Sequence, residues 1–327
     1  MAASAPVLLV IDDPVEAPAP SRSSQVPSPR ERSGPAGKPG AYPAATTSAV
    51  HPPDTPPYHR ADPDAPLVPA DDLGLTRGDG VFDTAAFVNG RPLALDEHLQ
   101  RFAHSAALLG LPRPRLDVWR AAVLAAVAAH VPAPVLSAKL VLTRGREGMR
   151  RPIGWVRVAA ARDHADEHRD GITVVTLDRG YRHDVATTSP WLLQGAKTLS
   201  YAINLAMLRE ARHRGADDAI MVSADGWVLE GPTASVVLRE GDAIVTPSTD
   251  EGILAGTTQR RVFDIAAELG LSAHYRRVRP DELLAADGVW LVSSSRGAAP
   301  VRAVDGRAVP VDRPLTDALN ARLLPGV

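Results

Sequence analysis

The chain has 327 residues, and 36 Lys and Arg against 38 Asp and Glu give a formal net charge of −2. That balance provides no long-range field to attract nucleic acid or an acidic membrane surface. Zero cysteines exclude disulfides, thiolate metal sites, iron–sulfur clusters and a cysteine nucleophile. The length suggests two domains. Lysine occurs only at positions 38, 139 and 197, so chemistry that needs a lysine amine has three candidates. No run approaches the ~20 apolar residues of a membrane span. VLLVI at 7–11 is too short for a signal segment, so the expectation is a cytoplasmic protein.

Residues 1–69 hold 16 of the 30 prolines. Such a stretch cannot bury enough apolar surface to offset its ordering entropy, so roughly 13–60 reads as disordered or loosely draped. A strand at 7–12 would make it an insertion rather than a tail. VFDTAAFVNGRPLAL reads as a hairpin turning at Asn89-Gly90. Asp96 is expected to cap a helix with the stripe Leu99, Phe102, Ala106 and Leu109. A second helix runs through DVWRAAVLAAVAAH, and strands follow at VLSAKLVLTRG and GWVRVAAAR. DHADEHRDG reads as a polar linker. Beyond it, ITVVTLD predicts a strand and KTLSYAINLAMLREARHRG a helix ended by Gly215. AIMVS, WVLEG, SVVLRE and AIVTP predict four short strands. TTQRRVFDIAAELGL predicts a helix and VWLVSSS a late strand. The expected organisation is a mostly disordered Pro-rich segment (1–65), an N-terminal α/β domain (66–163), a linker (164–172) and a larger C-terminal domain (173–327).

Four features carry chemistry. His164, Glu167 and His168 match H-x-x-E-H literally. Zinc chemistry needs both histidines on one helix face with a third ligand, whereas a solvated linker needs nothing. Lys197 opens its predicted helix, where the dipole disfavours an ammonium and lowers the amine's pKa; the alternative is an exposed lysine. Lys139 fits the outward face of a strand. Glu230 interrupts apolar strand residues, so it either seeks a cation or a protonated ring nitrogen, or faces water at a strand end. Thr257 and Thr258 follow Gly256 at a helix start, which is a phosphate seat or an ordinary N-cap. Arg101 lies off its helix's apolar stripe, as a second phosphate contact or a solvated charge.

Lysine amine, strand carboxylate, helix-end threonines and arginine together describe a pyridoxal phosphate site. The sequence resembles the fold type IV, class IV aminotransferase family from about Leu73 to Val309. The resemblance rests on TRGDGVFDTAAFVNGR, LDEHLQRFAHSA, the stretch from GAKTLSYAINLAM to EGPTASVVL, GILAGTTQRRV and LVSSSRGAAPV, in that order. It implies an α/β (α+β) fold of two domains, a small N-terminal α/β domain and a larger barrel-like one, with pyridoxal 5′-phosphate between them. By the same resemblance, Lys197 is the Schiff-base lysine and Glu230 the partner of the pyridine nitrogen. Arg101, Thr257 and Thr258 hold the phosphate, and Ser294 or Ser295 adds to it. Tyr201, in competition with Ser200 and Asn204, fills the position soon after the lysine. Phe82 and Asp83 stand where relatives often carry Tyr and Glu; with Arg296 they form the substrate side. Homodimers that complete each other's sites are implied, acting on a small molecule. The KTLSYA stretch is most similar to the aminodeoxychorismate lyase branch, which implies conversion of 4-amino-4-deoxychorismate to 4-aminobenzoate and pyruvate. The alternatives are a branched-chain or D-amino-acid aminotransferase, a zinc hydrolase, or a non-catalytic binding relative.

Overall fold

The computed structural model describes residues 4–17 and 55–327. Six strands form the first sheet: β1 (Val7–Ile11), β2 (Tyr58–Ala61), β3 (Gly80–Val88), β4 (Arg91–Pro92), β5 (Val135–Thr143) and β6 (Ile153–Ala160), in the order β2-β1-β6-β5-β3-β4. The expected N-terminal strand therefore exists and lies inside the sheet, between β2 and β6. Residues 58–61, read from sequence as loosely draped, are a strand, so the sheet starts well before residue 66. Asp12 N–H donates to the Pro57 carbonyl at 3.0 Å and His59 pairs with Asp12 at 2.8 Å, which ties the two ends of the Pro-rich stretch together. Residues 13–17, also expected to be draped, pack on the body through a bridge from Val15 to Pro114 and Glu16 N–H to the Arg113 carbonyl (2.8 Å), while 18–54 lie outside the described residues.

The turn between β3 and β4 is as predicted: Asn89 and Gly90 have φ of 48° and 76°, the paired positive values of a tight hairpin. Among the described residues this half holds the helices α1 (Leu73–Arg77), α2 (Leu95–Leu108) and α3 (Leu116–Ala129). The α2 N-cap is Ala94, in a left-handed conformation, and not Asp96. Asp96 instead sits in the first turn, where its charge suits the dipole. Along β3, Val81, Ala85 and Phe87 join Leu99, Phe102 and Trp119 in a core between sheet and helices. Strand alternation sends Phe82 and Thr84 to the opposite face. On β5, Leu136, Ala138, Leu140 and Leu142 face that core, which leaves Ser137 and Lys139 beside Thr84.

A short helix, α4 (Ala165–Asp170), occupies the expected linker. After it come β7 (Ile172–Asp178), α5 (Val185–Thr188), α6 (Ala202–His213), β8 (Asp218–Val222), β9 (Ser235–Glu240) and β10 (Ala243–Pro247). The chain ends with α7 (Thr257–Glu268), β11 (Ser272–Arg276), α8 (Pro280–Ala285), β12 (Gly288–Ser293), β13 (Gly297–Val304), β14 (Arg307–Ala308) and α9 (Arg313–Leu323). The second sheet has the order β11-β10-β9-β12-β13-β7-β8, with β14 on β13. Both its faces are buried. Val236, Leu238 and Leu291 face one cluster, while Val237, Trp290 and Val292 face another with Val262, Ile265 and Leu319 of α7 and α9.

Two expectations are corrected here. WVLEG is not a regular strand but a return arm from β8, held by Leu229 N–H to the Met221 carbonyl and Met221 N–H to the Glu230 carbonyl, both 2.8 Å. The helix predicted from Lys197 starts only at Ala202. Residues 197–199 run alongside β3: Phe82 N–H donates to the Lys197 carbonyl (3.0 Å) and Leu199 N–H to the Gly80 carbonyl (2.8 Å). Gly80 permits this approach, since a Cβ there would lie 2.6 Å from a Leu199 methyl and 2.7 Å from the Leu142 carbonyl.

Candidate active site

Between the two sheets lies a cavity of about 1260 Å³. This exceeds the ~300–1,000 Å³ of an ordinary small-molecule pocket and leaves room for a cofactor together with a substrate. Lys197 is fastened to β3 by its backbone, and its N–H donates to Ser105 Oγ of α2 at 3.1 Å. Its amine lies 4.8 Å from the Phe82 ring centroid and 5.9 Å from that of Tyr201. Burial, and then the Arg101 charge, push the Lys197 pKa down to about 8, against the opposing pull of Asp83 and Glu230. Helix position plays no part in this, because Lys197 lies outside α6.

Glu230 also lines the cavity. Burial raises its pKa to about 7 although Lys197 and the Leu254 N–H, which donates to Oε2 at 3.3 Å, both act to lower it. A half-buried carboxylate facing the cavity suits a protonated ring nitrogen. Arg179, whose guanidinium stacks on Tyr181 at 4.9 Å, adds a cation on that side; sequence reasoning missed it.

At the other end, α7 begins with Gly256, Thr257 and Thr258. A Cβ on Gly256 would meet Ser235 Oγ at 2.4 Å and Gln259 Cβ at 2.9 Å, so only glycine fits the turn that opens the helix. Thr257 Oγ1 and Thr258 Oγ1 both lie 3.5 Å from Ser294 Oγ. Hydroxyls around a helix N-terminus make an anion seat. Arg101 reaches it from α2, donating from Nη1 to the Ala255 carbonyl at 3.2 Å. Ser295 lines the cavity beside Ser294.

Asp83 does not face the substrate space, contrary to expectation. It is fully buried on the helix side of β3, where alternation separates it from Phe82. There it accepts two bonds from Arg101 (2.9 and 2.8 Å) and one from His98 Nδ1 (2.8 Å). Although burial opposes it, the Arg101 charge together with the hydrogen bonds from His98 and Arg101 holds its pKa well below the usual carboxylate range. His98, 1% exposed, carries the network on: Nε2 lies 3.2 Å from Thr257 Oγ1 and 3.1 Å from Ser294 Oγ. His98 escaped sequence analysis, although its i, i+3 spacing to Arg101 puts both on one helix face.

Tyr201 packs edge-on against Phe82 (centroids 5.2 Å apart), and its hydroxyl donates to the Pro232 carbonyl at 2.8 Å, as Asn204 Nδ2 does. Ser200 turns away to the Gly78 carbonyl. Arg296 lines the cavity with its charge already committed, to Glu167 and Asp218, both at 2.8 Å. The histidines of H-x-x-E-H diverge. His164 pairs with Glu167 at 3.0 Å, and His168 Nε2 donates to the Arg296 carbonyl. The Glu167 pKa falls to about 2 because His164, Arg296 and Arg162 outweigh burial.

An amine of lowered pKa, a half-buried carboxylate and a hydroxyl-lined anion seat within one cavity suit pyridoxal phosphate at its aldehyde, ring-nitrogen and phosphate ends. Two sheets of this topology enclosing such a site define a fold type IV pyridoxal phosphate enzyme. The chain belongs to the amino-transferase class IV family, whose profile matches residues 80–304. It is 43% identical, over 76% of its length and 89% of the relative's, to a bifunctional aminodeoxychorismate lyase/D-amino acid transaminase of Mycobacterium tuberculosis. A fold IV transaminase from Curtobacterium pusillum superposes with a TM-score of 0.85 at 48% identity, covering 99% of this chain and 100% of that one. A hypothetical aminotransferase of Mycobacterium tuberculosis in its pyridoxal phosphate-bound form has a TM-score of 0.76 at 40% identity, covering 81% and 95%. The cofactor of this family is pyridoxal phosphate.

Proposed function

We propose that the chain converts 4-amino-4-deoxychorismate into 4-aminobenzoate and pyruvate, and that the same site transaminates D-amino acids. The 43% identity to a relative bearing both activities carries this reading. The volume of the cavity beside Lys197, ample for a ring-shaped substrate, supports it.

Pyridoxal phosphate supplies an electron sink for the pair left behind when a proton leaves the amine-bearing carbon. In this reading Lys197 would be the residue to which the cofactor attaches and the base that takes that proton. An amine with a pKa near 8 is neutral often enough at physiological pH to do so. Glu230 keeps the ring nitrogen protonated. Arg101, Thr257, Thr258, Ser294 and Ser295 hold the phosphate, with Asp83 and His98 positioning them. Tyr201 and Phe82 wall the substrate space next to the lysine. For the lyase reaction the ether bond at the neighbouring ring carbon breaks, the ring becomes aromatic, and Lys197 returns its proton to the methylene carbon of the departing enolpyruvate, giving pyruvate. For transamination the same Lys197 amine would act first as base and then as acid.

The cavity mouth supports a homodimer. Trp191 (73% exposed), Ile203, Leu205, Leu192 and Leu108 line the cavity yet face solvent. A rim of large apolar side chains is the mark of a surface covered by a partner, and a second copy is the proposed cover. Among the described residues no helix is long and apolar enough to cross a membrane.

The deciding assay supplies 4-amino-4-deoxychorismate without any keto acid. Many equivalents of 4-aminobenzoate and matching pyruvate per site are expected. Turnover confined to D-amino acids plus 2-oxoglutarate or pyruvate would reject the lyase assignment and keep the transaminase one.

A further inference from the structure

We propose that Ser105 is a positioning residue for Lys197, and that α2 thereby sets the distance between the lysine and the phosphate seat. This rests on the reading of Lys197 as attachment residue and base. Ser105 is fully buried in α2, in company with the core residues Phe102 and Ala106 of the same helix. Alanine would fill that place with better helix propensity and no polar atom to satisfy. Among the described residues the hydroxyl's hydrogen bond is the one it accepts from Lys197 N–H, 92 residues further along the chain, at 3.1 Å. The serine is therefore accounted for by the lysine and not by the helix.

Lys197 needs such a support because it draws no rigidity from a helix of its own. The helix α6 begins only at Ala202, and Leu193 and Gly195, just before the lysine, have φ of 55° and 82°. Two bonds to β3, from Phe82 N–H to the Lys197 carbonyl and from Leu199 N–H to the Gly80 carbonyl, hold the C-terminal side. The peptide on the N-terminal side is held by Ser105. Freed, that peptide can turn, and the four-carbon stem magnifies any turn at the amine. The second fixed point is Arg101, one helical turn before Ser105. His98, Arg101 and Ser105 are spaced i, i+3 and i+7, which puts them on one face of α2. Arg101 is anchored to Asp83 and donates to the Ala255 carbonyl just ahead of α7. Four residues of helix span about 6 Å, and the packing of Leu99, Phe102 and Ala106 into the core keeps that helix in place. A rigid cofactor held at its phosphate needs its lysine at a fixed distance, and one helix supplies both points.

The test compares the wild-type protein with Ser105→Ala, Ser105→Thr and Thr316→Val. Thr316 is also fully buried and accepts from Trp290 Nε1 at 2.9 Å, away from the cavity. Thr316→Val therefore removes a buried hydrogen bond that has no link to Lys197. Ser105→Ala should lower kcat by about 10- to 100-fold, the range for a small misplacement of a reacting group, with KM within a few-fold of wild type. Two further readouts do not depend on turnover. Cofactor-free Ser105→Ala should capture pyridoxal phosphate more slowly, and the visible circular dichroism of the bound cofactor should weaken. Ser105→Thr, which keeps the hydroxyl, should recover most of each loss. Thr316→Val should lower the melting temperature and leave kcat, capture rate and dichroism unchanged. Wild-type values of all three in Ser105→Ala, or equal losses in Thr316→Val, overturn the proposal. If the wild type turns over neither 4-amino-4-deoxychorismate nor a D-amino acid, the functional reading fails, while capture rate and dichroism still decide the role of Ser105.

Discussion

The two ends of the cavity are built in opposite ways. At the phosphate end Asp83 and His98 are 0% and 1% exposed, and the network runs unbroken from β3 through α2 to the hydroxyls of α7 and the β12–β13 turn. At the mouth Trp191 is 73% and Ile203 54% exposed. As proposed, the first end would receive the same phosphate in every catalytic cycle, so its groups can be fixed in advance and their hydrogen bonds closed within the protein. The mouth meets substrates and, as proposed, a second subunit. Groups that bind must keep contact surface in reserve, and that reserve is visible as exposed apolar side chains.

The largest effect expected from breaking the cofactor end is Lys197→Ala. It should abolish the visible absorption of bound cofactor and reduce turnover by at least ~10³-fold, because base and attachment point vanish together. Borohydride treatment followed by peptide mapping checks it. A cofactor label found on Lys139 instead would show that the mouth can substitute for the floor. Glu230→Gln should retain cofactor yet lose roughly 10²-fold or more in kcat, since a neutral amide no longer favours the protonated ring; activity within a few-fold of wild type would remove Glu230 from that role.

Asp83→Asn tests whether the phosphate end is held from behind. It leaves Arg101 and His98 facing an amide, and breaking a buried ion pair costs about 3–5 kcal/mol. A lower melting temperature and weaker pyridoxal phosphate binding are expected, both measurable without substrate. The sign of the pH effect follows from the depressed carboxyl of Asp83. Its stabilisation is fully present above the unfolded-state pKa and is lost as pH falls through the lower folded value. The acid limb of the stability curve should therefore be shallower in Asp83→Asn. The rate at which cofactor-free protein captures pyridoxal phosphate should rise with pH and level off above about 8, where Lys197 is neutral; a plateau only above pH 10 would mean the amine is not desolvated. Smallest of all, Ile203→Ser at the mouth should leave cofactor absorbance unchanged and weaken self-association measured by sedimentation.

The chemistry of the site was legible to the extent that it rests on rare residue types in ordered motifs. Three lysines in 327 residues, one followed 33 positions later by a carboxylate amid apolar residues, narrow the search sharply. Lys197, Glu230, Arg101, Thr257, Thr258, Ser294 and Ser295 do line one cavity. Local periodicity misled where long-range pairing intervened. Leu199, Ile203 and Met207 keep helical spacing, yet residues 197–199 bond to β3 instead of winding, because an open strand edge offers their backbone partners. The literal metal motif dissolved for the same kind of reason, Glu167 being bound to His164, Arg162 and Arg296.

By itself the sequence determined which groups are present, the alternation of β3 and β5 and the family that follows from the motifs. The helices α2, α3 and α7 are likewise set by apolar stripes within single segments. Only the tertiary structure decided what those groups face. Strand alternation says that Phe82 and Asp83 point to opposite sides, but not which side holds the helices and which the cavity. Lys139 reads as an outward lysine until the second sheet turns that outward face into a wall. His98 gains its meaning from Thr257 and Ser294, 159 and 196 residues away in the chain. Burial, which lowers the pKa of Lys197 and raises that of Glu230, is a property of the assembled cavity, since desolvation depends on everything that surrounds a charge and not on its neighbours in sequence.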